Sequence, residues 1–466
     1  MTITCDISEQ SINTAIKQKN LKVSYYTIDV HLGDHEIDKV LLFSPVTGKL
    51  QSIDPDLWTQ ISKGNLSNLT QNELDLLIKS KIIVEEHSNS LQEVTEENED
   101  FVEQSKIFKL VVQPTAACPL GCGYCGQDHS SKHMSETNQK KLIEFAKKSI
   151  KSGKFKAMNI GWFGAEPLAS FKTLEDISTQ LQGLARDSEL RYFSNIVTNG
   201  ILLSRQRFQK LVNEHNIKSF EITLDGLEEQ HNVRRPLKSG QNSFKRIYKN
   251  LIEIAEVKPN DVSITIRCNV DGSNKDSIPK LLQKMKDDGL HEKVSVYFAP
   301  IHSWGNDAHK QSAEKQAFAE WEIEWFCLMI NLGFKLSLLP GRKKQVCLAV
   351  NKNNFLIDPF GGVYGCTEVS LVPSYHKNGK NIHEFGKLGE QNITGNPERN
   401  IFGSYNTKIQ NKSTPCSTCQ VLPVCGGHCP KAWIEGKEIP CPSFKYNIRE
   451  RMLLSYLLKI NKGKQD

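Results

Sequence analysis

Between residues 106 and 300, six apolar runs alternate with stretches in which apolar residues recur at helical spacing. The runs predict strands, and the stretches between them predict amphipathic helices. Such alternation is typical of repeated βα units around a parallel sheet, whose functional loops follow the carboxyl ends of the strands. The predicted strands are 108–112, 158–163, 192–198, 219–224, 262–270 and 294–299, and the predicted helices are 138–152, 171–185, 204–215, 243–257 and 275–288. The fold class is therefore predicted to be α/β, with an open, partial (β/α)6 barrel of the TIM type.

The 466 residues are enough for several domains. Before residue 90, extended runs are followed by helix-capping signals and a further strand-like run, which predicts a small α+β domain. The acidic run 93–100 predicts a solvated linker. Beyond residue 340 the chain is rich in Gly, Asn, Pro and Cys with little periodicity, so metal ligation is predicted to replace a large apolar core. The predicted units are 1–100, the small domain and its linker; 101–310, the barrel; 311–340, a connecting helix; and 341–466, the cysteine-rich segment.

The composition excludes several classes of protein. Hydrophobic residues make up 38% of the chain and charged residues 24%, which is unlike a disordered chain. The net charge of +6 is too small an excess to predict a nucleic-acid or lipid partner. No stretch approaches the roughly 18 apolar residues of a membrane span, and the N-terminus MTITCDISEQ lacks a basic region followed by an apolar core. We therefore predict a cytoplasmic protein with no membrane or nucleic-acid partner.

Ten of the thirteen cysteines fall into two groups, within 118–125 and 347–441. Disulfides are disfavoured in a reducing compartment, so clustered thiols there indicate metal binding or redox chemistry. Cys118, Cys122 and Cys125 directly follow the first barrel strand, and three thiolates at this spacing can ligate three irons of a [4Fe–4S] cluster. The fourth iron then stays open for a substrate or cofactor. The alternative is a structural zinc site with His129 as its fourth ligand.

These three cysteines, with an aromatic residue before the last, resemble the signature of the radical S-adenosylmethionine (radical SAM) superfamily. Further motifs follow in the order expected for that fold. Gly164-Ala165-Glu166-Pro167 resembles the GGEP segment that holds the methionine amino group, with Ala165 in place of the second glycine. Backbone contacts can tolerate the added methyl group.

The next two motifs follow the third and fourth predicted strands. Asn199 belongs to a Thr-Asn-Gly segment, and Thr223 and Asp225 belong to a segment that resembles the family's SLDG…H…R pattern. The resemblance implies that Thr223 faces the cofactor and that Arg235 clamps its carboxylate, to which a guanidinium fork is suited. Singly, Asp225 can be an ordinary turn residue and Arg235 a surface charge. Four motifs in sequence favour the resemblance.

The resemblance implies a reaction type. The open iron would chelate the amino and carboxylate groups of S-adenosylmethionine, and electron transfer would cleave this cofactor to methionine and a 5′-deoxyadenosyl radical that abstracts hydrogen from an unactivated carbon. The protein would position the target and exclude water.

The second cysteine group resembles the seven-cysteine pattern of the SPASM domain, which follows the radical SAM core in peptide-modifying enzymes. The resemblance implies two auxiliary [4Fe–4S] clusters, and hence three clusters in all. A distal cluster would be held by four of the cysteines, and three would remain for a proximal one. The implied distal ligands are Cys416, Cys419, Cys425 and Cys441, and the implied proximal ligands are Cys347, Cys366 and Cys429. The proximal cluster either has an open iron or is reached by Cys327, and a pair of zinc knuckles is the alternative to both clusters.

Glu368 is a candidate catalytic base. Sulfatase-maturing relatives carry an acidic base directly after the cysteine that matches Cys366, and Thr367 occupies that position here. The difference argues against sulfatase maturation. A solvated or capping carboxylate is the alternative role for Glu368.

The N-terminal unit is similar in layout to the winged-helix peptide-recognition elements of enzymes that mature ribosomally made peptides. Such elements bind a leader peptide by adding it as a strand to a sheet edge. The resemblance rests on this layout and on a stretch such as 41–48, without an invariant chemical motif, and a capping subdomain without a ligand is the alternative.

These resemblances together predict a peptide maturase. It would act on a precursor peptide with a leader, take electrons from a reductant such as flavodoxin or ferredoxin, and form a thioether or carbon–carbon crosslink by net oxidation. The alternatives are sulfatase-maturase-like oxidation of a protein Cys or Ser, action on a small molecule, peptide epimerisation and, from another class, a zinc-stabilised binding scaffold.

Overall fold

The computed structural model describes residues 20–33, 37–302, 304–391, 393, 401–436 and 440–463. The strands are β1 (Leu21–Val23), β2 (Ile28–His31), β3 (Val40–Ser44), β4 (Lys49–Ile53), β5 (Ile83–Glu85), β6 (Ile107–Val112), β7 (Ala157–Trp162), β8 (Arg191–Thr198), β9 (Ile217–Thr223), β10 (Ser263–Val270), β11 (Ser295–Pro300), β12 (Asn354–Ile357), β13 (Gly362–Tyr364), β14 (His376–Lys377), β15 (Lys380–Asn381) and β16 (Glu384–Lys387). The α-helices are α1 (Pro55–Ser62), α2 (Gln71–Lys79), α3 (Ser90–Glu103), α4 (Glu136–Ser152), α5 (Phe171–Asp187), α6 (Arg205–Asn213), α7 (Glu228–Arg234), α8 (Phe244–Val257), α9 (Ile278–Asp287), α10 (Lys315–Asn331), α11 (Tyr405–Gln410), α12 (Leu422–Cys425), α13 (Pro430–Glu435) and α14 (Phe444–Gly463).

Strands β6 to β11 form the barrel sheet. They lie in chain order, and each pairs in parallel with the next. The helices between them bury one apolar stripe each, as in α5, where Leu174, Ile177 and Leu181 recur at spacings of three and four residues. The predicted α/β fold with a partial (β/α)6 barrel is confirmed, and parallel topology places its loops at one end of the sheet.

The cysteine-rich segment shares the barrel sheet. Strand β12 pairs in parallel with β6, and β13 and β16 continue the sheet in antiparallel orientation. Phe355, Ile357 and Val363 are buried in the same apolar core as the barrel strands. The expectation that this segment depends on metal ligation in place of apolar packing was therefore incomplete, because long-range pairing buries short apolar runs that show no periodicity of their own.

The N-terminal unit contains a three-stranded antiparallel sheet of β2, β3 and β4, and a pair formed by β1 and β5. Side chains alternate across β3. Val40 and Leu42 pack against residues of α1 and α2, while Leu41 and Phe43 pack against the C-terminal part of the chain, including Met452 of α14. Both faces of this sheet are covered, so the N-terminal unit is attached directly to the cysteine-rich segment.

The acidic run 93–100 lies in α3, and the prediction of a solvated linker there was wrong. Val94, Thr95 and Asn98 are buried on one side of this helix. Arg342 donates hydrogen bonds to the backbone oxygen of Val94 and to the Asn98 amide oxygen, at 3.2 and 2.7 Å. Tertiary contacts with a distant arginine thus stabilise a helix in a segment whose acidic composition alone predicts a solvated linker.

The connecting helix predicted within 311–340 is α10, which packs against α14. Arg451 of α14 forms a buried ion pair with Glu322 of α10, and it also donates to the side-chain oxygen of Asn447 at 2.7 Å. No helix in the described part of the chain is both long and apolar enough to cross a membrane.

Candidate functional site

The loops that follow the barrel strands line one cavity at the carboxyl end of the sheet. The predicted site residues that line it are Cys118, Cys122, Cys125, Gly164, Ala165, Asn199, Thr223, Arg235 and Glu368. Residues up to 250 positions apart in sequence thus meet at this end of the sheet, as expected for a parallel barrel. Glu166, Pro167 and Asp225 do not line the cavity; they are buried behind it.

The cysteine loop after β6 is held against the segment that follows α7. Gly121 donates its amide to the Pro236 oxygen at 2.8 Å, and Gly123 donates to the Arg234 oxygen at 3.1 Å. Asn199 donates its side-chain amide to the Cys118 sulfur at 3.7 Å. These contacts fix the loop, and none of its three cysteines forms a disulfide.

Burial raises the pKa of each thiol in the cysteine loop. It raises the pKa of Cys118 to about 12, and the nearby Glu166 carboxylate adds to the rise. Ligation by iron requires the thiolate, so metal binding must release these protons. Within the described ranges, no three His, Cys, Asp or Glu side chains converge closely enough to hold a single metal ion.

The turn after β7 has a left-handed backbone. Gly164 has φ +83° and Ala165 has φ +48°. A Cβ atom at Gly164 would collide with the Gln113 side chain, so glycine is required there. Ala165 adopts the left-handed conformation despite its methyl group, and its amide donates to the Gln127 side-chain oxygen at 2.9 Å. The departure from the GGEP pattern is therefore accommodated, with a hydrogen bond from the alanine amide.

Glu166 joins two of the loops. Its carboxylate accepts hydrogen bonds from the Thr198 hydroxyl at 2.8 Å, from the Asn199 amide at 2.8 Å and from the Leu168 amide at 3.0 Å. Pro167 is buried and begins a short 3-10 turn. Both residues position the cavity wall.

Asp225 and Arg235 meet at the Tyr124 hydroxyl. Tyr124 donates to Asp225 Oδ2 at 2.6 Å, and Arg235 donates to the Tyr124 oxygen. Arg235 Nε is buried and has no hydrogen-bond partner among the described residues. An unsatisfied buried guanidinium N–H beside a cavity fits a carboxylate ligand. The three free thiols, the glycine turn and this N–H together fit the donor set expected for a [4Fe–4S] cluster and S-adenosylmethionine.

Sequence analysis missed several residues that line the cavity, namely Gln127, Glu221, Arg267, His302 and Trp304. The sequence carried a signal for two of these residues. Glu221 and Arg267 interrupt otherwise apolar runs of buried parallel strands, where a charged residue requires a specific partner. Arg267 donates to Asn269 Oδ1 at 2.8 Å and to the Tyr297 hydroxyl at 3.1 Å.

Glu368 lies between the two cysteine groups. Its carboxylate is 3.6 Å from His302 Nε2, and the side chain is 28% exposed. Burial opposes ionisation, but the hydrogen bond and charge of His302, with the charges of Arg267 and Lys431, lower the pKa of the Glu368 carboxyl. Burial raises the pKa of the Cys125, Cys366 and Cys429 thiols, and the Glu368 carboxylate adds to the rise at all three.

Of the seven C-terminal cysteines, the structure brings the four implied distal ligands together at one pocket. Cys416, Cys419, Cys425 and Cys441 line one small pocket. Cys347, Cys366 and Cys429 form the other set: burial raises the pKa of the Cys366 thiol, and Glu368, Cys347 and Cys429 raise it further. Cys327 is exposed on α10.

Two side chains contact sulfurs of the four-cysteine set. The Tyr405 hydroxyl is 3.6 Å from Cys416 Sγ, and Lys445 Nζ is 3.6 Å from Cys441 Sγ. Hydrogen bonds and charges at this distance alter the electron affinity of a bound cluster.

A larger cavity of about 630 Å³ lies between α3 and the cysteine-rich segment. None of the predicted site residues lines it.

Comparison with known proteins supports the interpretation of the barrel cavity. Residues 112–285, which carry the cysteine loop and the motif segments, match the model of the radical SAM superfamily. This stretch is therefore a radical SAM domain. A radical SAM domain implies an enzyme with S-adenosylmethionine and one [4Fe–4S] cluster as cofactors.

Two curated enzymes are similar in sequence. A PqqA peptide cyclase of Bradyrhizobium diazoefficiens is 21% identical over 201 residues, which cover 42% of this chain and 47% of that enzyme. The radical SAM cyclopropyl synthase TigE of Paramaledivibacter caminithermalis is 22% identical over 89% of this chain and 90% of its own length. The chain thus spans about half of the first relative and most of the second.

Two solved structures share the fold of this radical SAM protein. The anSMEcpe structure with bound S-adenosylmethionine superposes with a TM-score of 0.54 at 16% identity, over 77% of this chain and 99% of that one. Streptococcus suis SuiB bound to precursor peptide SuiA superposes with a TM-score of 0.50 at 14% identity, over 91% of this chain and 98% of that one.

Proposed function

We propose that this enzyme modifies a ribosomally made precursor peptide and forms a thioether or carbon–carbon crosslink by net oxidation. The observation that carries the proposal is the position of Glu368, which lines the same cavity as the first cysteine group and lies two residues after Cys366 of the second. The cavity of the radical SAM domain therefore adjoins a second potential redox site in the same chain.

The cofactor residues are assigned from the cavity geometry. Cys118, Cys122 and Cys125 would hold the first cluster, and Arg235 would hold the carboxylate of S-adenosylmethionine through its free Nε–H. When bound, the two cofactors supply a 5′-deoxyadenosyl radical that abstracts a hydrogen atom from carbon. Gly164, Ala165, Asn199 and Thr223 would line the cofactor, while Glu166, Pro167 and Asp225 would position the lining.

Net oxidation requires a path for a second electron and a proton. One hydrogen atom leaves the peptide carbon, and closing the new bond releases a further electron and proton from the peptide. Two auxiliary [4Fe–4S] clusters in the sets described above would accept the electron, which a redox-neutral epimerisation does not require. Glu368 and His302, which border the cavity, are the candidates to accept the proton.

The proposal of a peptide substrate rests on the N-terminal sheet and on the relatives. Among the described strands, none pairs with the outer edge of β4, so a leader peptide can add there as a strand. The opposite edge strand is less available, because Arg449 donates to the Asp29 oxygen of β2 at 2.7 Å. SuiB, which shares the fold, was solved with a precursor peptide, and another relative is named a peptide cyclase.

The test is anaerobic reconstitution of the enzyme, followed by reaction with S-adenosylmethionine, a reductant such as flavodoxin or ferredoxin, and the short peptide encoded beside its gene. We expect release of 5′-deoxyadenosine and loss of two hydrogen atoms from the peptide, measured by mass spectrometry. The Cys118→Ala variant is the control and should give neither. A crosslink located by fragmentation would identify the bond.

Other outcomes distinguish the alternatives. An unchanged peptide mass with deuterium incorporation from heavy water would indicate epimerisation. Oxidation of a Cys or Ser in a folded protein, with no reaction of the short peptide, would indicate sulfatase-maturase-like activity. Zinc without iron in the purified protein would indicate a binding scaffold.

A further inference from the structure

Tyr124 belongs to the cysteine loop, directly before Cys125, and its hydroxyl is the centre of a buried hydrogen-bond network. It donates to Asp225 Oδ2 at 2.6 Å and accepts from Asn269 Nδ2 at 3.0 Å. Arg235 also donates to this oxygen through Nη1. The hydroxyl thus uses one donor and two acceptor positions, which is its full capacity.

The direction of the Tyr124 O–H bond is set by Asp225. A carboxylate cannot donate, so the hydroxyl proton must point to Asp225 Oδ2. The oxygen lone pairs are then left for the two nitrogen donors. Asp225 is itself fixed, since its Oδ1 accepts from the Asn269 backbone amide at 2.9 Å. The network therefore presents an acceptor to Arg235 in one orientation only.

The Tyr124 ring is also fixed, because the Arg234 guanidinium lies 5.4 Å from its centroid. Arg234 is held by Asp271, at 2.7 Å, and by the Ser273 hydroxyl, at 3.0 Å. The hydroxyl oxygen consequently has little freedom to follow Arg235 if the arginine moves.

At one end of the Arg235 guanidinium, Nη1 is occupied by its hydrogen bond to the Tyr124 hydroxyl. The other end includes Nε, which is buried, faces no described acceptor and belongs to a residue that lines the cavity. A planar guanidinium held at Nη1 can rotate less, so the direction of its remaining N–H groups is fixed as well.

We propose that the Tyr124 hydroxyl is a positioning residue for the cofactor: it holds Nη1 of Arg235 so that the remaining guanidinium edge meets the carboxylate of S-adenosylmethionine. This inference rests on the proposed role of Arg235. It assigns to the hydroxyl a task that the aromatic ring alone cannot perform, because the ring offers no acceptor for Nη1.

The test compares two ligands on anaerobically reconstituted enzyme. The Tyr124→Phe variant keeps the ring and removes the hydroxyl. We expect it to bind S-adenosylmethionine about tenfold more weakly than the parent, as for loss of a hydrogen bond to a charged group. Its affinity for decarboxylated S-adenosylmethionine should be unchanged, because that ligand has no carboxylate for Arg235. Affinity is measured by equilibrium dialysis, and iron content and the visible absorbance of the cluster show that the variant is loaded.

A second variant tests whether Tyr124 acts through Arg235. In an Arg235→Lys background, Tyr124→Phe should have little further effect on S-adenosylmethionine affinity, because the fork that the hydroxyl orients is absent. Tyr248→Phe is the matched control. It also removes a tyrosine hydroxyl, which donates to Asp288 Oδ2 at 2.8 Å and does not line the cavity. It should not change either affinity.

Three results would overturn the inference. If Tyr124→Phe weakened the binding of both ligands equally, the hydroxyl would have a general structural role. Full additivity of the affinity losses of Tyr124→Phe and Arg235→Lys would indicate the same. Unchanged affinity for S-adenosylmethionine would show that the hydroxyl is not needed. Failure of the parent enzyme to bind S-adenosylmethionine, or an Arg235→Lys variant with parental affinity, would instead refute the proposed cofactor site on which the inference rests.

Discussion

Glu166 accepts a hydrogen bond from the backbone amide of Asn199 at 2.8 Å, so the loop after β7 is tied to the loop after β8. The same carboxylate accepts from the Thr198 hydroxyl and the Leu168 amide. Asn199 in turn donates to Cys118 Sγ. A single buried carboxylate thus couples the glycine turn to the cysteine loop, although it does not line the cavity.

The Glu166→Gln variant should lose stability and cofactor affinity. One carboxylate oxygen becomes an NH2 group that faces hydrogen-bond donors, and an unsatisfied buried donor costs about 1–3 kcal/mol. We expect a lower thermal midpoint and at least tenfold weaker binding of S-adenosylmethionine, measured by scanning calorimetry and equilibrium dialysis. Glu324→Gln, on an exposed part of α10, is the control. Parental values for Glu166→Gln would contradict the coupling role.

Two substitutions in the turn after β7 should differ in their effect on stability. Ala165→Gly should keep cofactor affinity and leave stability equal or higher, because glycine removes the cost of about 1 kcal/mol for a side chain in the left-handed region. Gly164→Ala should destabilise the protein, because the new Cβ meets the Gln113 side chain. Thermal melting checks both. Lower stability of Ala165→Gly would mean that the methyl group makes a contact that outweighs the backbone cost.

Removal of the first cysteine set should leave the other two sets loaded. The triple variant Cys118→Ala, Cys122→Ala, Cys125→Ala is expected to retain about eight irons where the parent binds about twelve, since each cubane contains four. It should not cleave S-adenosylmethionine. Iron and sulfide analysis with Mössbauer spectroscopy provides the count. Loss of all iron in the triple variant would show that the sets do not load independently.

The charge of Lys445 should raise the reduction potential of a cluster at the four-cysteine set. Lys445→Met removes a positive charge 3.6 Å from Cys441 Sγ, which destabilises the more negative reduced state. Lys445 is exposed to solvent, so we expect a modest decrease, roughly 20–60 mV. A redox titration followed by electron paramagnetic resonance measures it. Lys459→Met, further along α14, is the control, and equal shifts in the two variants would exclude a local effect.

His231 should make stability depend on pH. Burial, and then the charge of Arg235, lower its pKa from 6.5 to about 3, with Arg234 acting in the same direction and Asp225 against it. The unfolded chain therefore binds a proton at His231 below pH 6.5 while the folded chain does not, so stability is lost as the pH falls from 6.5 towards 3. At pH 5 the loss is about 2 kcal/mol.

The His231→Asn variant tests this assignment, because asparagine does not titrate and its oxygen can accept the Asp225 amide that His231 Nδ1 accepts at 3.2 Å. Thermal midpoints should fall less between pH 7 and pH 5 in this variant than in the parent. His87→Asn, at an exposed histidine, should behave as the parent. Parallel pH profiles for His231→Asn and the parent would contradict the assignment.

The barrel was predictable from sequence because its strands and helices repeat with their own periodicities. The boundaries of the predicted strands differ from those of β6 to β11 by at most two residues. The fold of the cysteine-rich segment was not predictable in this way. Its short runs, such as β12, become strands only through pairing with β6, a partner more than 240 residues earlier.

The candidate site likewise contains residues that were predictable from sequence and residues that were not. Cys118 and Gly164 lie in the loops after β6 and β7, and Arg235 belongs to the motif segment between β9 and β10, so their meeting at one end of the sheet follows from parallel topology. His302, Trp304 and Arg267 carry no such local pattern. They reach the cavity because the last barrel strands and the loop after β11 close over it, and Trp304 donates to the Glu368 backbone oxygen at 3.0 Å.

The sequence by itself determined the order of strands and helices, the positions of the thiols and the match to the radical SAM domain, since each depends on spacing along the chain. Only the tertiary structure decided which buried groups are satisfied and which are free. Tyr124 bonds to Asp225 and Arg235 across about a hundred residues, and Arg235 Nε is left without a partner beside the cavity. Hydrogen bonds act over about 3 Å and depend on angle, so residue types along a chain cannot specify them before the chain has folded.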